Sequence, residues 1–143
     1  MIEAIRAAFN TQFTSEKYQQ YLSILNAPFK DQIPFRIAET PVFIDKNFKA
    51  QLQDAGDYIC DFITDPSFAA KTTLAIPQGI DIPGETTLPE CVVIDFAIAE
   101  GPGGTFQPQL IELQGFPSLF AFELLQAQAL ELAYDLPKGF SPF

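Results

Sequence analysis

The sequence contains no histidine, and this absence removes several kinds of catalytic chemistry at once. Ser-His-Asp and Cys-His nucleophilic catalysis, histidine general acid-base chemistry and histidine-ligated zinc or iron are all excluded. Any catalysis by this chain therefore has to depend on carboxylates, lysine, tyrosine or a hard metal ion held by oxygen ligands.

Positive charge is also scarce, because eight Lys and Arg residues stand against 18 Asp and Glu residues, for a formal net charge of −10. Nucleic acids and anionic membrane surfaces both need cations on the protein, since their phosphates have to be neutralised. We therefore expect no nucleic-acid partner and no membrane partner. The acidity itself predicts no more than solubility.

Cysteine is limited to Cys60 and Cys91, which are far apart and do not form the spacing of a metal site. We expect both thiols to be reduced and mostly buried, with a disulfide or a reactive thiol as the alternatives. The N-terminus lacks the apolar core of a signal peptide, and no apolar run reaches about 18 residues. These features predict a cytoplasmic protein.

Apolar residues make up 48% of the chain, and its 15 Phe are spread from one end to the other. This supply is enough for a core and predicts a single folded domain over residues 1–143. Apolar positions recur with helical spacing in residues 15–26, 46–64 and 118–134. Ser15 and Asp45 are the predicted N-caps of the first two helices. The helix 118–134 contains so few polar residues that it is either buried or faces a partner.

Proline, glycine and threonine are concentrated in residues 65–90, which we interpret as a long connection with a short helix near residues 68–71. Two β-rich runs follow, at 91–99 and 107–114, on either side of a glycine-rich loop. We therefore predict a mixed α/β (α+β) fold, in which helices pack on a small sheet containing the antiparallel hairpin 91–99/107–114.

The hairpin has one pairing register that keeps its apolar residues on a single face, since a slip of one residue would turn one set into water. That register pairs Ile94 with Leu113 and Phe96 with Ile111. It also places Asp95 opposite Glu112 and Gln114 opposite Val93, so that three polar side chains share the other face: Asp95, Glu112 and Gln114.

Two carboxylates directly across a strand pair repel each other, so water, a shared proton, a nearby cation or a metal has to compensate. Two carboxylates and an amide oxygen are suitable ligands for Mg²⁺, which keeps several waters and bridges to phosphates. Asp95, Glu112 and Gln114 are therefore the candidate metal ligands. The alternative is a solvated outer face with no ligand.

The run LIELQGFPSL at residues 110–119, with Glu123 after it, resembles a segment of the glutathionylspermidine synthase-like ATP-grasp ligases. In that family a strand ending in Leu-Leu-Glu-Tyr-Asn is followed by a Pro-Thr-Ser-Leu turn into a helix. The resemblance covers residues 92–126, about a quarter of the chain. It implies that Glu112, Gln114 and Asp95 occupy the three Mg²⁺-ligand positions of the family.

The sequence departs from the family pattern where Val93 replaces an arginine two residues before the aspartate, and where Gln114 replaces a shorter asparagine. The fold of that family is circularly permuted, so that the strands carrying its metal ligands come before the ATP-binding segment in the sequence. The resemblance thus implies the N-terminal part of a longer ATP-dependent carboxylate–amine (C–N) ligase, inactive alone and using Mg²⁺ and ATP only in the full-length context.

The alternative function is a non-catalytic protein-binding or assembly domain. In either case the apolar helix 118–134 would meet another surface, which is a C-terminal domain in the ligase and a second copy of the chain in the assembly domain. Coding sequence after residue 143 would separate the two hypotheses, because a nucleotide-binding sheet bearing a lysine would support the ligase and a stop codon would support the assembly domain.

Three further groups are weaker candidates. Asp54, Asp57 and Asp61 follow one helix face, for which a solvated surface is the ordinary explanation and a cation site the alternative. Asp31, Arg36 and Glu39 could form a surface ion cluster. The loop 101–104 opens no helix, so we do not interpret it as a phosphate cradle.

Overall fold

The computed structural model describes residues 2–80, 83–84, 86, 88–117 and 119–140. The described residues are mixed helix and sheet, as predicted, with five α-helices and one two-stranded antiparallel sheet. The elements in chain order are α1 (Glu3–Asn10), α2 (Ser15–Asn26), α3 (Lys46–Thr64), α4 (Pro66–Thr72), β1 (Val93–Glu100), β2 (Phe106–Gln114) and α5 (Phe120–Ala133).

The chain divides into two compact units, one formed by residues 1–45 with 119–143 and the other by residues 46–118. The first unit contains α1, α2 and α5, and the second contains α3, α4 and the β1–β2 hairpin. The single domain expected for residues 1–143 stays a prediction.

An aromatic cluster forms the core of the first unit. The ring of Phe9 lies 5.6 Å from that of Phe43 and 4.9 Å from that of Tyr134, centroid to centroid. Tyr21 and Leu25 of α2 are fully buried in the same cluster. Such rings bury a large apolar area each, so the packing of this cluster stabilises the short helices that carry it.

Helix α2 has the predicted bounds but a different N-cap. The hydroxyl oxygen of Thr14 accepts a hydrogen bond of 3.2 Å from the backbone N–H of Lys17, and Thr14 has extended backbone angles. Ser15 is the first helical residue, so its prediction as the cap is wrong by one position. Both residue types can cap a helix, and the extended backbone of Thr14 decides between them.

Helix α1 was not predicted, although its sequence carries a helical signal. Ile5 and Phe9 are four residues apart and both join the first unit's core, where Phe9 is fully buried. The backbone N–H of Ile2 also donates to the carbonyl of Phe43 over 2.8 Å, which ties the start of α1 to the neighbouring extended segment.

Helix α5 packs one face against α2 and leaves another face exposed. Its small Ala129 and Ala133 join the core that contains Tyr21 and Leu25 of α2, which allows the two helices to approach closely, and Ala127 is also buried. Leu119 precedes the helix in the left-handed region, at φ 60° and ψ 3°. The predicted helix 118–134 starts at Ser118, which lies outside the described residues.

Helix α3 of the second unit has the predicted bounds, and α4 is the short helix expected near residues 68–71, extended at both ends. A cap at Asp45 stays a prediction. A Cβ atom added at Gly56 of α3 would lie 3.7 Å from Cδ1 of Ile94 on β1, so the helix packs on the Ile94 face of the hairpin.

The hairpin has the predicted register up to one irregularity. Val93 pairs with Gln114, Ile94 with Leu113 and Asp95 with Glu112, but Phe96 pairs with Leu110. The predicted pairing of Phe96 with Ile111 is therefore wrong, because a β-bulge places one extra residue in β2. A bulge of this kind leaves its extra residue unpaired. Every β2 residue on its far side therefore lies on the face opposite to the one that an unbroken ladder would give it.

Both cysteines are free thiols, as predicted, but each is half-buried where mostly buried side chains were expected. Across the residues that the structure describes, no helix has the length and apolar character to cross a membrane.

Candidate metal-binding face of the hairpin

Asp95 and Glu112 lie on neighbouring antiparallel strands as direct partners, and Gln114 is two residues beyond Glu112 on the same strand. Side chains alternate between the faces of a strand, so the three share the hairpin face opposite Ile94 and Leu113. This is the grouping predicted from the register argument. Asp95 and Gln114 are half-buried, and Glu112 is exposed.

Gln114 provides a hydrogen-bond donor on this acidic face. Its side-chain N–H donates a 2.7 Å hydrogen bond to Oε1 of Glu112. Among the described residues, neither Asp95 nor Glu112 forms an ion pair with a Lys or Arg side chain. The two carboxylates are therefore direct cross-strand partners with one amide donor beside Glu112, and solvent, a shared proton or a cation has to supply the remaining compensation.

The donor set matches the oxygen chemistry of Mg²⁺ but is small. Two carboxylates provide charge, and the amide oxygen of Gln114 becomes a ligand if the amide turns away from its hydrogen bond with Glu112. Within the described ranges, no three or more His, Cys, Asp or Glu side chains gather in a way that could hold a metal ion. A cation here would need further ligands from water or from a bound phosphate.

The bulge enlarges the polar face beyond the three predicted residues. On the far side of the bulge, Gln109 pairs with Ala97 and Gln107 with Ala99. The pairing therefore adds both glutamines to the face that carries Asp95 and Glu112. The sequence pattern did not predict them, because an unbroken ladder places them on the apolar face. A signal for the bulge was present in the sequence. Polar residues alternate at Gln107 and Gln109, and the next polar residue is Glu112 instead of residue 111, which indicates one extra residue in the strand.

The secondary candidates have ordinary surroundings. Arg36 donates a 2.8 Å ion-pair hydrogen bond to Glu39, and their side chains are 83% and 44% exposed. This confirms that part of the predicted ion cluster, and an exposed pair of this kind adds little stability. Asp54 and Asp57 are exposed on α3, as a solvated helix face requires. Residues Pro102–Gly104 form a short turn between the two strands, in which Gly103 has a φ of 73°.

Comparisons with family models, with curated proteins and with solved structures found no match to this chain. The resemblance to the glutathionylspermidine synthase-like ligases therefore still depends on the short motif around Glu112.

Proposed function

We propose that this chain contributes the magnesium-binding hairpin of an ATP-grasp-like, ATP-dependent carboxylate–amine ligase, working with a nucleotide-binding part that these residues do not supply. The observation that supports this most is the direct pairing of Asp95 with Glu112, with Gln114 bonded to Glu112 on the same face. The motif resemblance selects these three residues, and the strand register groups the same three independently.

Each of the three residues has a defined task under this proposal. The carboxylates of Asp95 and Glu112 would hold Mg²⁺ from opposite strands, and the amide oxygen of Gln114 would complete the protein's share of the ligands. The bound ion would neutralise phosphate charge during phosphoryl transfer. Val93 stands where the family has an arginine, so the cation that stabilises the transferred phosphoryl group would have to come from another part of the ligase.

The exposure of this face predicts weak binding of a metal alone. A Mg²⁺ site that borrows ligands from phosphates is incomplete until the nucleotide is present. We therefore expect Mg²⁺·ATP to occupy the hairpin only when the nucleotide-binding part is present. As a separate part of the proposal, we place the complete protein in the cytoplasm.

Paramagnetic Mn²⁺ tests the site on this chain directly. We expect added Mn²⁺ to broaden first the backbone NMR signals of Asp95, Glu112 and Gln114. The variants Asp95→Asn and Glu112→Gln should abolish this preference, whereas the control Asp54→Asn, which removes an equal charge from α3, should preserve it. Broadening that is spread evenly over the acidic surface would refute the metal site.

A second candidate function is an assembly domain that associates through α5. The observation that favours it is the row of exposed apolar side chains on that helix, where Phe120, Leu124 and Leu132 are 50%, 57% and 69% exposed. Phe120 and Leu124 are i, i+4 neighbours, and Leu132 lies eight residues further along the same ridge, beyond the exposed Gln128. Apolar side chains in such a row typically mark a contact with another protein surface.

Sedimentation at increasing concentration tests this second candidate. We expect a homodimer that is weakened by Leu124→Gln and Leu132→Gln together, because both side chains are exposed and the fold does not need them buried. The matched control is Leu74→Gln, which alters an 88% exposed leucine away from α5. A monomer at all concentrations would exclude self-association and leave only a different protein as the partner.

A further inference from the structure

A groove between α3 and α4 in the second unit has no role in the proposed ligase hairpin. Its volume is about 430 Å³, and its walls combine aromatic rings with charged groups. Tyr58, Phe62 and Phe68 provide the rings, and Asp61 and Asp65 provide two carboxylates.

The turn between the two helices fixes the shape of the groove. The hydroxyl of Thr64 donates to the carbonyl of Cys60 over 2.8 Å and closes the last turn of α3. Pro66 then starts α4, where its missing N–H costs no helical hydrogen bond. Oδ1 of Asp65 accepts hydrogen bonds from the backbone N–H of Ser67, over 2.7 Å, and from the Ser67 hydroxyl.

The aromatic walls present accessible ring surface. The rings of Phe62 and Phe68 lie 4.7 Å apart and are tilted at 51°, so they form a corner. Phe62 is 53% exposed and Tyr58 is 72% exposed. Large rings left this open in a groove are available to a ligand, and the negative face of an aromatic ring attracts cations.

The charges of the groove favour a positively charged ligand. Within the part of the chain that the structure describes, Asp61 and Asp65 form no ion pair with Lys or Arg. Hydrogen bonds from the Ser67 hydroxyl, and then from its backbone N–H, lower the pKa of Asp65, which keeps this carboxylate ionised. Lys71 supplies one positive charge on the α4 side, so the groove keeps a net negative charge.

We propose that this groove binds the guanidinium group of an arginine side chain presented by a partner protein. A guanidinium is planar, so it can stack on Phe62 or Tyr58 while its N–H groups donate to Asp61 and Asp65. A lysine ammonium has the charge but lacks the flat face and the forked donors, so it should bind less well.

The openness of the groove favours a side chain of a larger partner over a free small molecule. Sites for small ligands typically enclose about 70–90% of the ligand surface. Tyr58 and Phe62, which are 72% and 53% exposed, lie at the protein surface, so this groove is open to solvent. An arginine side chain needs only its end to be bound, because the rest of its protein provides further contacts elsewhere.

The test uses three synthetic peptides that differ only at a central residue, which is arginine, lysine or the uncharged isostere citrulline. Each peptide is titrated into the isotopically labelled chain and followed by NMR. We expect saturable shifts at Tyr58, Asp61, Phe62 and Phe68 with the arginine peptide, weaker shifts with lysine and none with citrulline. Equal shifts with arginine and citrulline would overturn the proposal, because they would show that charge is not recognised.

Paired variants separate the groove from the general negative charge of the chain. Asp61→Asn should weaken binding of the arginine peptide about two- to fivefold, as for an exposed ion pair. Phe62→Leu should weaken it by about the same factor through loss of the cation–π contact. Asp54→Asn removes an equal charge from the same helix outside the groove and should leave the affinity nearly unchanged. If Asp54→Asn and Asp61→Asn weaken binding equally, only non-specific attraction remains and the proposal fails.

Free arginine amide tests the source of the guanidinium group. We expect it to bind the groove more weakly than the arginine peptide, because it lacks the flanking contacts. Tighter binding of the free compound would contradict a partner protein and would indicate a small-molecule site. This proposal does not depend on the ligase hypothesis, since none of its residues lies on the hairpin.

Discussion

Asp95 and Glu112 are direct cross-strand partners, and the regular ladder between β1 and β2 is interrupted immediately beyond Asp95. Like charges in this position destabilise a strand pair, and the local bulge does not separate them. The arrangement therefore keeps two carboxylates together against their repulsion, with the Gln114 amide as a neighbouring donor.

Removing one of these carboxylates should not weaken the fold. We expect Asp95→Asn to leave the free energy of unfolding unchanged or to raise it by up to about 1 kcal/mol, because the cross-strand repulsion is relieved. Urea denaturation at neutral pH measures the change, and any gain should shrink at high salt as the charges are screened. Glu100→Gln, which removes a carboxylate opposite Phe106, is the control and should give no gain. A large loss of stability in Asp95→Asn would show that Asp95 has a structural hydrogen-bonding role.

The N-cap of α2 can be assigned by two adjacent alanine substitutions. Thr14→Ala should lower the free energy of unfolding by about 1 kcal/mol, because the Lys17 N–H loses its acceptor. Ser15→Ala should change it by less than about 0.5 kcal/mol, since alanine is a good residue inside a helix. Equal losses at both positions, measured by chemical denaturation, would contradict Thr14 as the cap.

Tyr18 and Tyr21 should respond differently to the same substitution. The Tyr18 hydroxyl donates a 2.7 Å hydrogen bond to the carbonyl of Ile37, so Tyr18→Phe should cost about 1 kcal/mol. The buried Tyr21 hydroxyl oxygen has no partner with full hydrogen-bond geometry in the described chain. Tyr21→Phe should therefore be neutral or should stabilise the protein by about 1 kcal/mol. Thermal or urea unfolding of both variants would decide, and a loss at Tyr21 similar to that at Tyr18 would reveal a hydrogen bond there.

Alkaline pH should destabilise the first unit through its buried tyrosines. Burial raises the pKa of Tyr21, and the Gln126 side chain lowers this pKa by a smaller amount. Burial is also the main cause that raises the pKa of Tyr134. The unfolded chain then loses these protons first, so stability is complete below about pH 10 and falls as pH rises through the folded-state values. Unfolding measured across this range should show a decline that becomes shallower in Tyr21→Phe and in Tyr134→Phe. Unchanged slopes in both variants would contradict the raised pKa values.

Local periodicity was sufficient to predict α2, α3 and the pairing of Asp95 with Glu112, because each depends on residues close in sequence or on one buried face. The bulge could not be predicted in the same way. An unbroken ladder placed Ile111 opposite Phe96, and only the combined packing of both strands shows that β2 carries an extra residue. The left-handed backbone of Leu119 was equally hidden, since leucine has no intrinsic preference for that conformation.

The groove between α3 and α4 could not be predicted from the sequence either. Asp61 belonged to a row of acidic residues that a solvated helix face explains fully, and nothing local connected it with Phe68. The connection depends on the angle of the turn at Thr64–Pro66. The metal-binding role of Asp95, Glu112 and Gln114 stays a prediction, because the register shows that they share a face but not that an ion binds them.

The bulge and Pro108 together determine which edge of the sheet can accept another strand. A two-stranded sheet has two outer edges, and an edge with free backbone groups can accept another strand. Along β2, the unpaired bulge residue disturbs the ladder, and Pro108 lacks the N–H that a neighbouring strand would need. Strand β1, from Val93 to Glu100, contains no proline. Any additional strand, whether from the same protein or from another, should therefore join the sheet beside β1, and β2 should remain at its border.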